Sequence, residues 1–198
     1  MNHCEQSKRD YGRRDVLAAM GVTGLTAVSF PFTGPRRHAD APLSYSAAQA
    51  FRRSLSAQSI YMREIGEAMP ESSYHDHPVP GIRSFAGHLL HIATGLVTMT
   101  GVLIGGTTGI DGDPTGKSKA QVLRILTEAF DRAMRAVDRV PNEALDETVP
   151  WASRLLDAPT ITKRQVLAVT RDHLAHHRGQ ILVYLRLRGV EPPTYVGF

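Results

Sequence analysis

Apolar and polar positions alternate with a helical period along most of the chain. From Leu43 to Met69, the residues Leu43, Ala47, Ala50, Phe51, Leu55, Ile60 and Ile65 recur at helical spacing with arginines and glutamates between them. This pattern predicts an amphipathic helix that stops before Pro70. Glu71 to Gly81 contains paired serines, His75-Asp76-His77 and two prolines, which is loop chemistry. Ser84 is a candidate N-cap for a second helix, Phe85 to Ile104, ended by Gly105-Gly106. A polar loop through Asp111-Gly112-Asp113-Pro114 leads to Ser118, which can cap a third helix from Lys119 to Val140. Its apolar positions Val122, Leu123, Leu126, Phe130, Met134 and Val137 form one stripe. Asn142 to Ile161 reads as a long crossover able to carry short strands. Thr162 opens a fourth helix to about Arg188, closed by Gly189 and Pro192-Pro193.

Four long helices with one long connection predict an all-α four-helix bundle over residues 42–198. No sustained strand alternation or internal repeat competes with it. Gly101, Gly105, Gly106 and Gly109 lack the strand-to-helix context of a nucleotide loop.

The first 41 residues read differently. Arg13-Arg14-Asp15-Val16-Leu17 precedes a modestly apolar run from Val16 to Phe32, diluted by Gly21, Gly24, Thr23 and Thr26. This order is that of a twin-arginine export signal, and the run is weaker than a membrane span. Ala39-Asp40-Ala41 supplies a small-x-small cleavage pattern, but Pro42 directly after it is unfavourable, which leaves an uncleaved membrane anchor as the alternative. The sequence therefore predicts export to the periplasm or the extracellular space, with the export machinery as a partner. The paired arginines also fit a plain basic tail. Cleavage would remove six basic residues (Lys8, Arg9, Arg13, Arg14, Arg36, Arg37) and four acidic ones (Glu5, Asp10, Asp15, Asp40), lowering the formal charge from +4 to +2. The remaining charges are interspersed without a basic block, which argues against nucleic-acid binding. The single cysteine, Cys4, falls in the same segment and supports no thiol chemistry in the mature chain.

The chemistry is concentrated in histidine. Five of the nine histidines, His88, His91, His173, His176 and His177, fall on the second and fourth predicted helices. His173 and His177 stand at i and i+4, about 40° apart around the axis, so both imidazoles can reach one ion. A third ligand from a facing helix would complete the set. His91 lies in the apolar segment Leu89, Leu90, Ile92, Leu96, Val97, where a polar side chain needs a buried partner. His88 is on nearly the same face and could exchange roles with it; we take His88 as the candidate acid or base facing the substrate. A histidine on an apolar face is also often a hydrogen-bonded core residue, and spacing alone does not choose between these readings. His176 points about 60° from His173, and His75 and His77 fit a solvated turn or the mouth of a site. His173-Leu174-Ala175-His176-His177 comes close to the helical zinc-protease motif. Leu174 occupies the place of its general-base glutamate, which argues against a metalloprotease.

Two blocks carry a family resemblance. Asp172 to Gln180, continuing through Tyr184-Leu185-Arg186 to Gly189-Val190-Glu191-Pro192-Pro193, resembles the last helix of the DinB/YfiT-like superfamily; Ser84-Phe85 to His91-Ile92-Ala93 is similar to that family's second helix. The resemblance implies that His91, His173 and His177 ligate a divalent zinc, nickel or iron-type ion. Gln180 and Tyr184 follow on the same helical stripe and are candidates to contact the site, with a core role the alternative for Tyr184; Asp172 and Arg178 point elsewhere on the helix and read as surface or inter-helix pairing. Such bundles are often homodimers, although no distinct dimer signature stands out here. Some members are metal-dependent thiol-cofactor transferases or isomerases, a reading that export disfavours. The expected function is an exported metal-dependent enzyme, of hydrolase or transferase type, acting on a small molecule; the alternative is a non-catalytic metal-binding or stress-associated helical module.

Overall fold

A computed structural model of the chain describes residues 45–106 and 109–195. The proposed export signal and Leu43, the expected start of the first helix, lie outside them. Four long helices make up the fold: α1 (Ala47–Ala68), α2 (Phe85–Gly101), α3 (Lys119–Asp138) and α4 (Lys163–Leu187). Each begins where a serine or threonine satisfies free backbone N–H groups. Ser46, Ser118 and Thr162 form capping boxes with Gln49, Gln121 and Gln165, and Ser84 accepts from the Gly87 N–H. The α1 start at Ala47, later than the sequence pattern suggested, is set by the Ser46 cap. At the other ends, Gly105 and Gly189 adopt left-handed φ values of 84° and 69°. There the Gly106 and Val190 N–H groups reach back to the carbonyls of Gly101 and Leu185, the Schellman closure that glycine permits.

Around the bundle the packing order is α1–α3–α2–α4. The connection from α1 to α2 thus crosses a diagonal, as does the long segment between α3 and α4. α2 and the 3₁₀ turn after it, Val102–Ile104, are together long and apolar enough to cross a membrane by composition. Here they form a core helix: Phe85, Ala86, Leu89, Leu90, Ile92, Ala93 and Leu96 are all fully buried.

The buried stripe of α1 is Ala48, Phe51, Leu55, Gln58, Met62 and Ile65, continuing to Met69 in steps of three and four. This corrects the sequence expectation that Ile60 belongs to the buried face, since Ile60 is 53% exposed. Gln58 takes a core position because its Oε1 accepts from Arg178 Nη1 of α4 at 2.8 Å, which satisfies the buried amide oxygen.

The crossover does carry short strands. β1 (Thr148–Pro150) pairs antiparallel with β2 (Thr160–Thr162), with the buried Val149 opposite Ile161. Its carbonyls also cap α4: Lys163 N–H donates to Glu147 O and Arg164 N–H to Leu145 O, at 3.0 and 2.8 Å. Ion pairs Lys163–Glu147 and Arg164–Asp146 reinforce the same joint. Between the strands, Trp151 N–H closes on Pro159 O at 2.9 Å, and Ser153 to Leu156 share a cavity wall with Val169 and His173 of α4.

Candidate metal centre

α2 and α4 are packing neighbours, and the histidines occupy their seam. On α4 the buried stripe runs Leu167, Thr170, Leu174, His177, Ile181 and Tyr184, so His177 takes a position that the heptad pattern would give to a leucine. His173 lies one turn before it, and His91 comes from α2; both are half-buried.

One nitrogen from each of His91, His173 and His177 lies within 4.8 Å of the other two. The Nε2 atoms of His91 and His173 are 3.3 Å apart. The His177 ring centre is 4.5 Å from each of the other two rings. Two imidazole nitrogens at 2.0–2.1 Å from one tetrahedral zinc would stand about 3.3–3.4 Å apart, so this pair already has ligand spacing. Among the described residues this is the one such cluster of metal-binding side chains, and it contains no carboxylate.

The electrostatics suit cation binding. Burial, then the neighbouring His91 and His176 rings and the Arg83 guanidinium, lower the pKa of His173 to about 4. Burial, followed by His173 and His91, takes His177 to about 3 against the weak opposing effect of its Gln180 hydrogen bond. His91 is lowered by burial and then by Arg83. Three neutral imidazoles therefore face one another at neutral pH, offering lone pairs to a cation. His173 Nδ1 is buried without a hydrogen-bond partner. The donor set, its neutrality and its spacing fit a divalent ion of the zinc, nickel or iron type.

Two neighbours shape the cluster. Gln180 Oε1 lies 3.1 Å from His177 Nδ1, and Gln180 Nε2 lies 3.0 Å from His176 Nε2. With its amide oriented this way, Gln180 accepts from His177 Nδ1–H, leaving His177 Nε2 unprotonated and available as a ligand. Gly95, one turn after His91 on α2, supports the His173 ring face: a Cβ there would stand 2.5 Å from His173 Cε1. Only glycine leaves room for that imidazole.

The other residues singled out in the sequence separate into distinct roles. His88 is buried, 5.7 Å from the His177 ring and 5.3 Å from the Tyr184 ring. Burial, then Arg83, His91 and His176, lower its pKa to about 4. Tyr184 donates its hydroxyl proton to Arg83 O at 2.6 Å and so braces the α2 entry. Arg178 pairs with Gln58 and stacks over Tyr195, the inter-helix role expected of it. Asp172 is exposed beside Arg171. His75 and His77 donate to Lys117 O and Ile82 O at 2.8 and 2.6 Å.

Two cavities meet at the triad. One, of about 520 Å³, is lined by His75, His77 and Arg83 together with small residues and Pro114. The other, of about 670 Å³, lies between α2, α4 and the crossover, with all three triad histidines in its wall. His91 and Thr94 belong to both. Sequence reasoning missed Gly95 and the cavity-lining position of His176. A glycine four residues after a candidate ligand in an otherwise strong helix was the available signal, since glycine costs about 1 kcal/mol there relative to alanine.

Solved structures with the same architecture include two DinB-like proteins. One, from Bacillus cereus, is 16% identical and superposes with a TM-score of 0.62 over 77% of this chain and 99% of its own. The other, from Bacillus subtilis, is 20% identical with a TM-score of 0.56 over 75% and 96%. At these identities the likeness establishes the fold. No curated protein matches the chain. The family model described as DinB superfamily matches residues 55–181, a span containing all four helices but the ends of the first and last and all three clustered histidines: the chain belongs to the DinB superfamily.

Proposed function

We propose that the protein is a metal-dependent enzyme of hydrolase or transferase type whose ion is held by His91, His173 and His177. The observation that carries this reading is the convergence of three neutral imidazoles, two of them at tetrahedral ligand spacing, in the wall of a cavity. Structural zinc sites are usually closed by four protein ligands, whereas three leave a position for substrate. A divalent ion held there supplies a Lewis acid for a substrate oxygen. The chain's own contributions are Gln180, which fixes the His177 tautomer, Gly95, which admits the His173 ring, and the cavity walls, which shape the space beside the ion.

The acid–base role expected of His88 has the least support, because His88 is buried and lines neither cavity beside the triad. In this reading it packs behind His177. His176 is exposed, lines the larger cavity and is adjacent to His177, which makes it the better-placed group for proton transfer.

Elemental analysis of untagged protein, beside a variant with His91, His173 and His177 all changed to alanine, tests the ligand assignment. Near-stoichiometric metal in the parent and none in the variant is expected. Cobalt-substituted protein then tests for an open site: azide or acetohydroxamate should change the visible spectrum. An unresponsive spectrum would favour the second reading, a non-catalytic metal-binding module, which draws on the absence of a carboxylate in the cluster.

Export by the twin-arginine route belongs to the same proposal. It is supported by Arg13-Arg14 and the apolar run after them. Changing both arginines to lysine should retain the protein in the cytoplasm; unaltered export in fractionated cells would refute it.

A further inference from the structure

The two cavities that share His91 differ in character. The smaller one carries His75, His77 and Arg83. The larger one carries Met99 from α2, Val169 from α4 and Leu155 and Leu156 from the crossover beside the polar Arg154, Asp172 and His176, and none of its large apolar residues lines the other. Leu155 and Leu156 are 50% and 36% exposed. They sit on the segment that the β1–β2 pair and the α4 cap hold beside the triad. Burying them is favourable for any ligand that fills the space, and about 670 Å³ is within the range of a small-molecule site.

We propose that this cavity holds the hydrocarbon tail of an acyl substrate whose carbonyl or carboxylate oxygen lies at the histidine triad. The substrate class is thus acyl compounds with a medium-length apolar tail. The inference rests on the metal-site reading above and adds to it a direction: the tail runs under Leu155 and Leu156, and the polar remainder of the molecule faces Arg83 and His75. A ligand lying the other way would put its tail against Arg83, His75 and His77 and leave the exposed Leu155 and Leu156 uncovered.

The test uses the full chain loaded with zinc and a homologous series of alkyl hydroxamates with two, four, six and eight carbons, in which the metal-binding head is constant. Binding is followed by calorimetry and by emission of Trp151, the sole tryptophan, which is buried directly after β1. Each added methylene should tighten binding about two- to fourfold until the tail outgrows the cavity. The double variant Leu155→Ser/Leu156→Ser changes exposed side chains and should flatten that series. If acetohydroxamate binds but longer tails bind no tighter, the tail cavity is wrong while the metal reading stands. A full chain-length gain retained in the double variant would place the tail elsewhere and also overturn the proposal. Failure of the protein to take up zinc would overturn the metal reading and this inference together.

Discussion

Replacing Gly95 with alanine should separate metal binding from folding. The added methyl would lie 2.5 Å from His173 Cε1, 3.1 Å from Nδ1 and 3.3 Å from Nε2. Carbon atoms in ordinary contact are about 3.5–4.0 Å apart, so the ring must retreat by about 1 Å. Metal–ligand distances tolerate only about 0.2 Å, which means His173 leaves the coordination position or distorts it. The expected loss is at least the 10–100-fold in affinity typical when a support of a metal ligand is removed. The backbone effect has the opposite sign, because alanine in a helix interior is favoured over glycine by about 1 kcal/mol. The metal-free variant should therefore melt at or slightly above the parent Tm while its Kd, from competition with a chromophoric chelator, rises sharply. Unchanged affinity would show that the His173 ring is not held where the metal reading needs it. A collapse of metal-free stability would show instead that the contact is structural.

Further predictions follow from neighbouring contacts. Gln180→Leu removes the acceptor from His177 Nδ1 and should weaken metal binding about 10-fold or more while leaving the fold intact by circular dichroism. Tyr74→Phe removes a buried hydrogen bond of 2.7 Å to Gly66 O and should cost about 1–2 kcal/mol, read as a lower midpoint in urea without a change in slope. The metal-free protein should lose stability on acidification. The folded-state pKa values of His88, His173 and His177 are about 4, 4 and 3, below the unfolded value of about 6.5. The unfolded chain therefore binds more protons below that value, so stability is fully present above about pH 6.5 and falls as the pH drops toward 4. The drop in Tm between pH 7 and pH 5 should be larger in the parent than in the triple-alanine variant; equal drops would refute neutral burial of these rings.

What could be read from the sequence was local. Helix ends follow from capping serines, threonines and glycines within a few residues of the boundary, and Ser84, Ser118, Thr162 and Gly189 were all identified from sequence alone. The His173–His177 pair is likewise a property of one helix. The buried face of α1 was misread because Gln58 interrupts the apolar pattern, and its acceptability depends on Arg178, 120 positions away. Spacing alone left His91 and His88 interchangeable; the family resemblance named His91, and the relative rotation of α2 and α4 is what brings it to His173 and His177. The approach of Leu155 and Leu156 to the site depends on how the β1–β2 pair and the α4 cap direct the crossover, and apolar periodicity carries no information about that.

The seam position of the triad has a consequence for the lifetime of the folded chain. An ion bound there would act as a reversible cross-link between α2 and α4, joining residues 82 positions apart across the helix seam. At a free ion concentration 100 times Kd, such a link stabilises the fold by about 2.7 kcal/mol. The abundance of the protein would then follow metal supply: chains made under scarcity would open and be degraded faster than loaded ones, so scarcity would lower copy number as well as occupancy.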